Sequence, residues 1–225
     1  MTRLVVFDFD STLLDMVSYV AALCLAAEEE FGIDTHVFRG ELQRFYVSDP
    51  AGSPIGHDIV AHFRSHMVNL DDSNTQSRLV SRILSVHKRL TGHENLLFAD
   101  VAPAIARLKA SGDTDIAIMT VNLERSYAFK LLLCGDVLNG VFALVVTVNK
   151  GVMMSQMWAD TIVFNGAHYD TALVVDDHPE QIGAVINKPN IHRLQLVRPG
   201  QKYPANGHNV AIIPSLDKLD ERIAA

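Results

Sequence analysis

A chain of 225 residues, 48% of them apolar, can bury a sizeable core and suits one domain or one domain carrying an insert. Its formal net charge of −7 speaks against a general electrostatic grip on nucleic acid or anionic lipid. Cys24 and Cys134 lie far apart with no CxxC spacing, which gives no sign of a disulfide framework or a zinc ribbon and points to a reducing compartment.

The opening MTRLVVFDFD has an apolar run too short for a signal peptide, and no later stretch approaches the ~18 residues of a membrane span, so a soluble cytoplasmic protein is expected. Leu4 to Phe9 is apolar but for Asp8, the pattern of a strand covered on both faces in a parallel sheet. Asp15 can cap a helix in which Val17, Val20, Leu23, Ala27 and Phe31 form a stripe and which Gly32 ends. Helical pattern returns in GELQRFYV, HDIVAHFRSHMV and SRLVSRILSVHKRL, separated by the turn-rich SDPAGSP and NLDDSN. Residues 16 to about 95 therefore read as all-helical.

From Phe98 the rhythm changes. Asp100 can cap VAPAIARLKA, closed by Ser111-Gly112, and the strand IAIMT follows. Then come the helix ERSYAFKLLL, the strand FALVVT, a helix in VMMSQMWADTIVF, the strands ALVVDD, RLQLV and VAII, and a terminal helix LDKLDERIA opened by Ser215. Strands alternating with helices argue for an α/β fold, a doubly wound, Rossmann-like parallel sheet.

Polar chemistry gathers at the strand ends. Residues i and i+2 of an extended chain point to the same side, roughly 7 Å apart, so Asp8 and Asp10 can flank one small group beyond the first strand. The carboxyl ends of parallel strands are where such sheets bind ligands. Thr120 ends IAIMT, Lys150 follows FALVVTVN, and Asp176 with Asp177 ends ALVVDD. Each pair of like charges about 4 Å apart costs on the order of 4 kcal/mol at an effective dielectric near 20, so converging carboxylates call for a cation. Oxygen ligands without Cys or His favour Mg²⁺, which shares its coordination with a substrate phosphate. One carboxylate can then attack a phosphoryl group while a protonated second donates to the departing oxygen, with Lys150 and Thr120 holding phosphoryl oxygens.

DFDSTLLD resembles motif one, DxDx[TV], of the haloacid dehalogenase (HAD) superfamily, and Thr120, Lys150 and VVDD at 174–177 follow in that family's order. The resemblance covers residues 3–15 and about 96–197. It implies a core of residues 1–15 and 96–225, an inserted helical cap of the C1 type at 16–95, and a phosphoaspartyl-enzyme mechanism. Asp8 would be the nucleophile and Asp10 the general acid/base, with Asp8, Asp10, Asp176 and Asp177 forming the Mg²⁺ site. Ser11, Thr12, Thr120, Val121, Asn122 and Lys150 would surround the phosphoryl group of a small phosphorylated metabolite. Two positions depart from the common pattern: Ser11 replaces the usual Gly, and Gly151 follows Lys150 where many members have Pro. Lys130 is the rival lysine, but it lies roughly 10 Å or more along the preceding helix. Glu180 is an outer-shell candidate.

Other signals have plain structural readings. His62 and His66 stand at metal-ligand spacing near His57, but without a third ligand in the sequence neighbourhood a polar face or substrate contacts are expected instead. The run Glu28 to Glu30 reads as a solvated helix face, and Trp158 with the methionines at 153, 154 and 157 as packing. Arg39, Arg44, Tyr46, His57, His62 and Arg64 are polar residues of the insert that could meet substrate. A phosphomonoesterase is the leading reading. A phosphotransferase or phosphomutase would share its chemistry, and a haloacid dehalogenase is disfavoured because it needs no acid at Asp10. A phospho-accepting receiver module would place its acceptor on the third strand and lack the insert.

Overall fold

The apolar runs read as strands do form them in a computed structural model, which describes residues 2–49, 52, 54–66, 68–200 and 210–219. In chain order the elements are β1 (Arg3–Phe7), α1 (Met16–Phe31), α2 (Thr35–Glu41), β2 (Tyr46–Ser48), β3 (Pro54–His57), α3 (Ile59–Ser65), α4 (Ser73–Thr91) and α5 (Val101–Ala110). There follow β4 (Thr114–Val121), α6 (Glu124–Leu131), β5 (Phe142–Val146), α7 (Lys150–Met157), β6 (Ile162–Phe164), β7 (Ala167–Tyr169), β8 (Thr171–Asp176), α8 (Pro179–Gly183), β9 (Ile191–Leu196) and β10 (Ala211–Ile213). Among the described residues no helix is long and apolar enough to cross a membrane. Described residues within 1–13, 98–120 and 139–225 form one compact unit, and those within 14–97 and 121–138 a second. The expected division left α6 with the core, whereas its contacts group it with the helical segment.

The first unit is built on a six-stranded sheet in the order β10-β9-β8-β1-β4-β5. β1 runs parallel to both neighbours, Phe7 pairing with Ile118 of β4 and with Val175 of β8. Because the chain leaves β1 in one direction through β4 and β5 and in the other through β8 to β10, the strand order reverses at β1. That reversal opens a crevice at the carboxyl end of β1. Leu4, Val5, Val6 and Phe7 are all buried, as a strand flanked on both faces requires.

Two expectations for this unit fail. VMMSQMWADTIVF is not one helix: α7 stops at Met157, and β6 and β7 form a hairpin closed by Asn165 (φ 48°) and Gly166 (φ 77°). Asn-Gly is the usual pair for such a two-residue turn, since both positions need positive φ. Trp158 is buried and its indole N–H donates to the carbonyl of Val163 at 3.0 Å, pinning the hairpin to the end of α7. Asp100 does stand before α5, yet its side chain makes no cap bond. At the carboxyl end, Ser215 opens a 3₁₀ turn at Leu216–Lys218, and residues 220–225 of the expected terminal helix lie outside the described residues.

The second unit is mainly helical. Asp15 caps α1 by accepting from Val17 N and Ser18 N, each at 3.1 Å, and Gly32 ends it at φ 67°. The buried face of α1 overlaps the expected stripe only in part: Leu23 and Ala27 are buried together with Tyr19, Ala22, Cys24 and Ala26, while Val17 is 81% exposed. The small alanines let α1 pack against α4, whose Leu79, Ile83 and Val86 supply the facing apolar row. Glu29 and Glu30 are not simply solvated, since they pair with Arg78, Arg82 and Arg89 of α4. The segment is also not all-helical. GELQRFYV ends in a 3₁₀ turn at Leu42–Phe45, and β2 pairs with β3 antiparallel, Tyr46 opposite His57.

Candidate active site

The strand ends bring four charged side chains together. Asp8 follows β1, and its N–H donates to Val175 O at 2.9 Å, which extends the ladder one residue and fixes where the side chain leaves the sheet. Asp176 is the last residue of β8 and Asp177 the next. Lys150 is the first residue of α7. Asn149 caps that helix by accepting from Val152 N at 3.0 Å, and the Lys150 N–H donates to Gln181 Oε1 at 3.0 Å. Lys150 Nζ donates to Asp8 Oδ1 and lies 2.9 Å from Asp176 Oδ2. Gly151 has a packing reason: a Cβ there would meet Gln181 O at 2.0 Å, so only glycine lets α7 approach α8 this closely.

All four side chains are buried, Asp8 at 7% exposure, Asp176 at 1%, Asp177 at 5% and Lys150 at 3%. One carboxylate oxygen from each of Asp8, Asp176 and Asp177 lies within 4.8 Å of the others. Burial, partly opposed by Lys150 and reinforced by Asp176, pushes the Asp8 carboxyl up to about 6. Burial and then the charges of Asp8 and Asp176 push Asp177 up to about 8. Burial alone would pull the Lys150 ammonium down, but Asp176 and Asp8 outweigh it and hold it above the usual lysine range. Three carboxylates against one ammonium leave the cluster under-compensated. Its hard, anionic oxygens fit a divalent cation of the Mg²⁺ class.

No protein-family profile matches the chain, and no curated protein matches it either. Solved structures do. A HAD phosphatase from Thermococcus onnurineus aligns over 99% of this chain and 98% of its own, at 18% identity and a TM-score of 0.56. The magnesium-bound HAD-hydrolase YfnB from Bacillus subtilis aligns over 100% and 99%, at 13% identity and a TM-score of 0.56. The chain has the haloacid dehalogenase fold. An L-2-haloacid dehalogenase shares this HAD fold at 16% identity and a TM-score of 0.51 over 100% and 99% of the two chains, so the fold alone leaves the reaction open.

The remaining motif residues of this HAD-fold chain take distinct places. Thr120 is buried near the end of β4, two residues beyond the Phe7–Ile118 pair. Asp10 is half-buried, and its charge is felt at Asp8. Ser11 adopts φ 65°, a left-handed turn that explains why glycine is the common residue at this motif position. Thr12 is fully buried, and its hydroxyl accepts from Asp177 N at 3.2 Å and donates to Asp177 Oδ1 at 3.5 Å, tying the loop after β1 to the loop after β8. Val121 and Asn122 group by contacts with the helical unit, where Asn122 is buried beside Gly56. Lys130 belongs to that unit as well, its ammonium 5.7 Å from the centre of the Tyr19 ring. Among the polar residues of the insert, Arg64 pairs with Asp71, Arg44 with Glu41, and His57 with His62.

Sequence reasoning missed a supporting layer. Gln195 donates to Asp177 O at 3.3 Å, and Arg198 donates to Thr12 O at 3.1 Å and to Asp100 Oδ2 at 2.8 Å. The same Asp100 oxygen accepts from Ser215 Oγ and Leu216 N, each at 2.8 Å. Asp100 is thus a hub beneath the acid-bearing loops, not a helix cap. No local spacing links residues this far apart, so their pairing had no sequence signal. A cleft of about 310 Å³ lined by Leu4, Thr114 and Asp115 sits at the other end of the sheet, where these strands begin, and gathers none of the motif residues.

Proposed function

We propose that the chain is a Mg²⁺-dependent phosphomonoester hydrolase that acts on a small phosphorylated metabolite through a phosphoaspartyl intermediate. The observation that carries this reading is the buried Asp8–Lys150–Asp176 contact with Asp177 beside it, three carboxylates and one ammonium in one cluster, in which we read Asp8 as the nucleophile and the acids as cation ligands. Similarity to a phosphatase and to a magnesium-bound hydrolase of the same fold supports it.

Asp8 supplies the attacking carboxylate oxygen. As its bond to phosphorus forms, the bond to the leaving oxygen breaks, and Asp10 gives that oxygen a proton. Lys150 and Thr120 hold the phosphoryl oxygens with charge and hydroxyl. Asp10, now a base, takes a proton from water as the water attacks phosphorus, and phosphate leaves with Asp8 restored. Asp8, the Asp10 backbone carbonyl, Asp176 and Asp177 would hold the cation, which when bound offsets the negative charge of carboxylates and phosphate. We assign substrate selection to the insert at 16–95. A phosphotransferase or phosphomutase differs only in the acceptor.

The test is a panel of phosphorylated metabolites assayed with chelator-treated protein, then with Mg²⁺ or Ca²⁺ added. Turnover should vanish with chelator and return with Mg²⁺ but not Ca²⁺, whose longer bonds and higher coordination number misplace nucleophile and phosphate. Full turnover after thorough metal removal overturns the reading. Appearance of transferred phosphate on an added sugar hydroxyl, with no free phosphate, would select the transferase.

A further inference from the structure

The helical unit holds a second cluster of ligand-type side chains, built from imidazoles. His62 of α3 is fully buried, its ring stacked between Phe38 (centroids 3.8 Å apart, planes at 9°) and Phe45 (4.5 Å, 16°). His57 Nε2 lies 2.9 Å from His62 Nδ1. The other nitrogen, His62 Nε2, is buried without a hydrogen bond and faces Glu41 Oε2 at 4.0 Å. One helical turn on, His66 Nε2 lies 3.0 Å from the same oxygen, and it too makes no hydrogen bond. One ligand atom each from Glu41, His62 and His66 lies within 4.8 Å of the other two.

We propose that Glu41, His62 and His66 bind a divalent ion of the zinc class, with water in the fourth position. Two histidines at i, i+4, His62 within α3 and His66 just past its end at Ser65, with a carboxylate from elsewhere make a donor set such ions accept. Tetrahedral ligands about 2.1 Å from an ion stand about 3.4 Å from one another, and the observed 3.0 and 4.0 Å gaps bracket that value, so a small closure seats the ion. The tautomers agree. A lone pair on His62 Nε2 requires the proton on Nδ1, which then donates to His57 Nε2, the outer-shell bond that orients metal-bound histidines. The partly exposed side chains of His66 (18%) and Glu41 (31%) leave an open side for water, and Arg44 sits 3.6 Å from Glu41 Oε1, leaving Oε2 to the ion.

The bland alternative is an ion pair between protonated His66 and Glu41. It leaves His62 Nε2 buried and unsatisfied. An ion accounts for all three ligand atoms together. Mixed nitrogen and oxygen donors select zinc-class ions over Mg²⁺, so this site and the acidic one should not compete for the same metal.

The experiment loads the purified chain with Zn²⁺ in excess Mg²⁺, removes unbound metal by desalting, and measures zinc per chain. The expected result is one retained zinc, unchanged in Asp177→Asn. Glu41→Gln and His66→Ala change partly exposed residues, and both should lose retention while keeping the wild-type circular dichroism spectrum. His57→Gln should weaken affinity by about 10- to 100-fold, the usual effect of an outer-shell partner. Cobalt in place of zinc should give the strong visible absorption of a four-coordinate ion. No retained zinc in the wild type, retention unchanged in either Glu41→Gln or His66→Ala, or loss in Asp177→Asn would each overturn the proposal.

Discussion

The acidic cluster of the α/β unit and the imidazole cluster of the helical unit bury titratable groups in opposite ways. Burial favours the neutral form in both, raising Asp8 and Asp177 and lowering His57 and His62. For the histidines, neutrality is readiness to ligate. For the aspartates it would defeat the nucleophilic attack proposed above, and Lys150 stands among them and opposes the shift at Asp8. Support differs too. The aspartates leave strand ends fixed by sheet hydrogen bonds, whereas His62 is held by stacked rings and its neighbour His57. Donor chemistry and the way each side chain is anchored separate the two, not burial.

The strongest way to break this comparison is Asp8→Asn. The amide is nearly isosteric and Asp176 remains as the charge partner of Lys150, so turnover should disappear with only a small change in melting temperature and no change in zinc retention. Retention of a tenth of wild-type activity would show that Asp8 is not the nucleophile. Asp10→Asn should slow the reaction by about 10²- to 10⁴-fold on alkyl phosphates and less on aryl phosphates, whose oxygens need less protonation to leave. Rapid quenching should then trap protein-bound phosphate with the aryl substrate. Equal losses on both substrates with no trapped phosphate would remove Asp10 from proton transfer.

Smaller effects probe the layer under the acidic cluster. Asp100→Asn leaves the Arg198 guanidinium without its charge partner in a buried setting, and urea unfolding at pH 7 should show a loss of about 3 kcal/mol. Burial raises the Asp100 pKa, but Arg198, the Leu216 N–H and Ser215 outweigh it, and the group sits below its ordinary 3.8. A depressed folded value means that the unfolded chain binds the proton first. The stabilisation is therefore complete above pH ~4 and lost as pH falls below it, so wild type and variant should converge in acid. A gap that stays constant from pH 7 to pH 3 would exclude the charge interaction. Smallest is Ser11→Gly, which relieves a left-handed residue at φ 65° and should raise stability by about 0.5–1 kcal/mol after the glycine entropy cost. A lower melting temperature would show that the Ser11 side chain matters more than its backbone.

Where the placement of a residue follows strand order, the sequence was sufficient. Continuous apolar runs ending in Asp8, Thr120 and Asp176 marked buried parallel strands, and a parallel sheet must deliver all of their carboxyl ends to one edge. Helix limits at Asp15 and Gly32 were legible for a similar reason, since caps act within a few residues. The β6–β7 hairpin was also legible in Asn165-Gly166, but the apolar run before it suits helix and strand alike. Tertiary structure alone decided the rest. The stripe chosen for α1 caught Leu23 and Ala27 but missed Ala22 and Ala26, because alanines that count little as hydrophobes are what close packing against α4 demands. Gln195 meets Asp177, and Arg198 meets Thr12 and Asp100, only once the sheet has assembled. Glu41 becomes the third partner of His62 and His66 only after the chain turns back through the β2–β3 hairpin. Periodicity reports which face a residue occupies, and a long-range partner is set by how those faces pack.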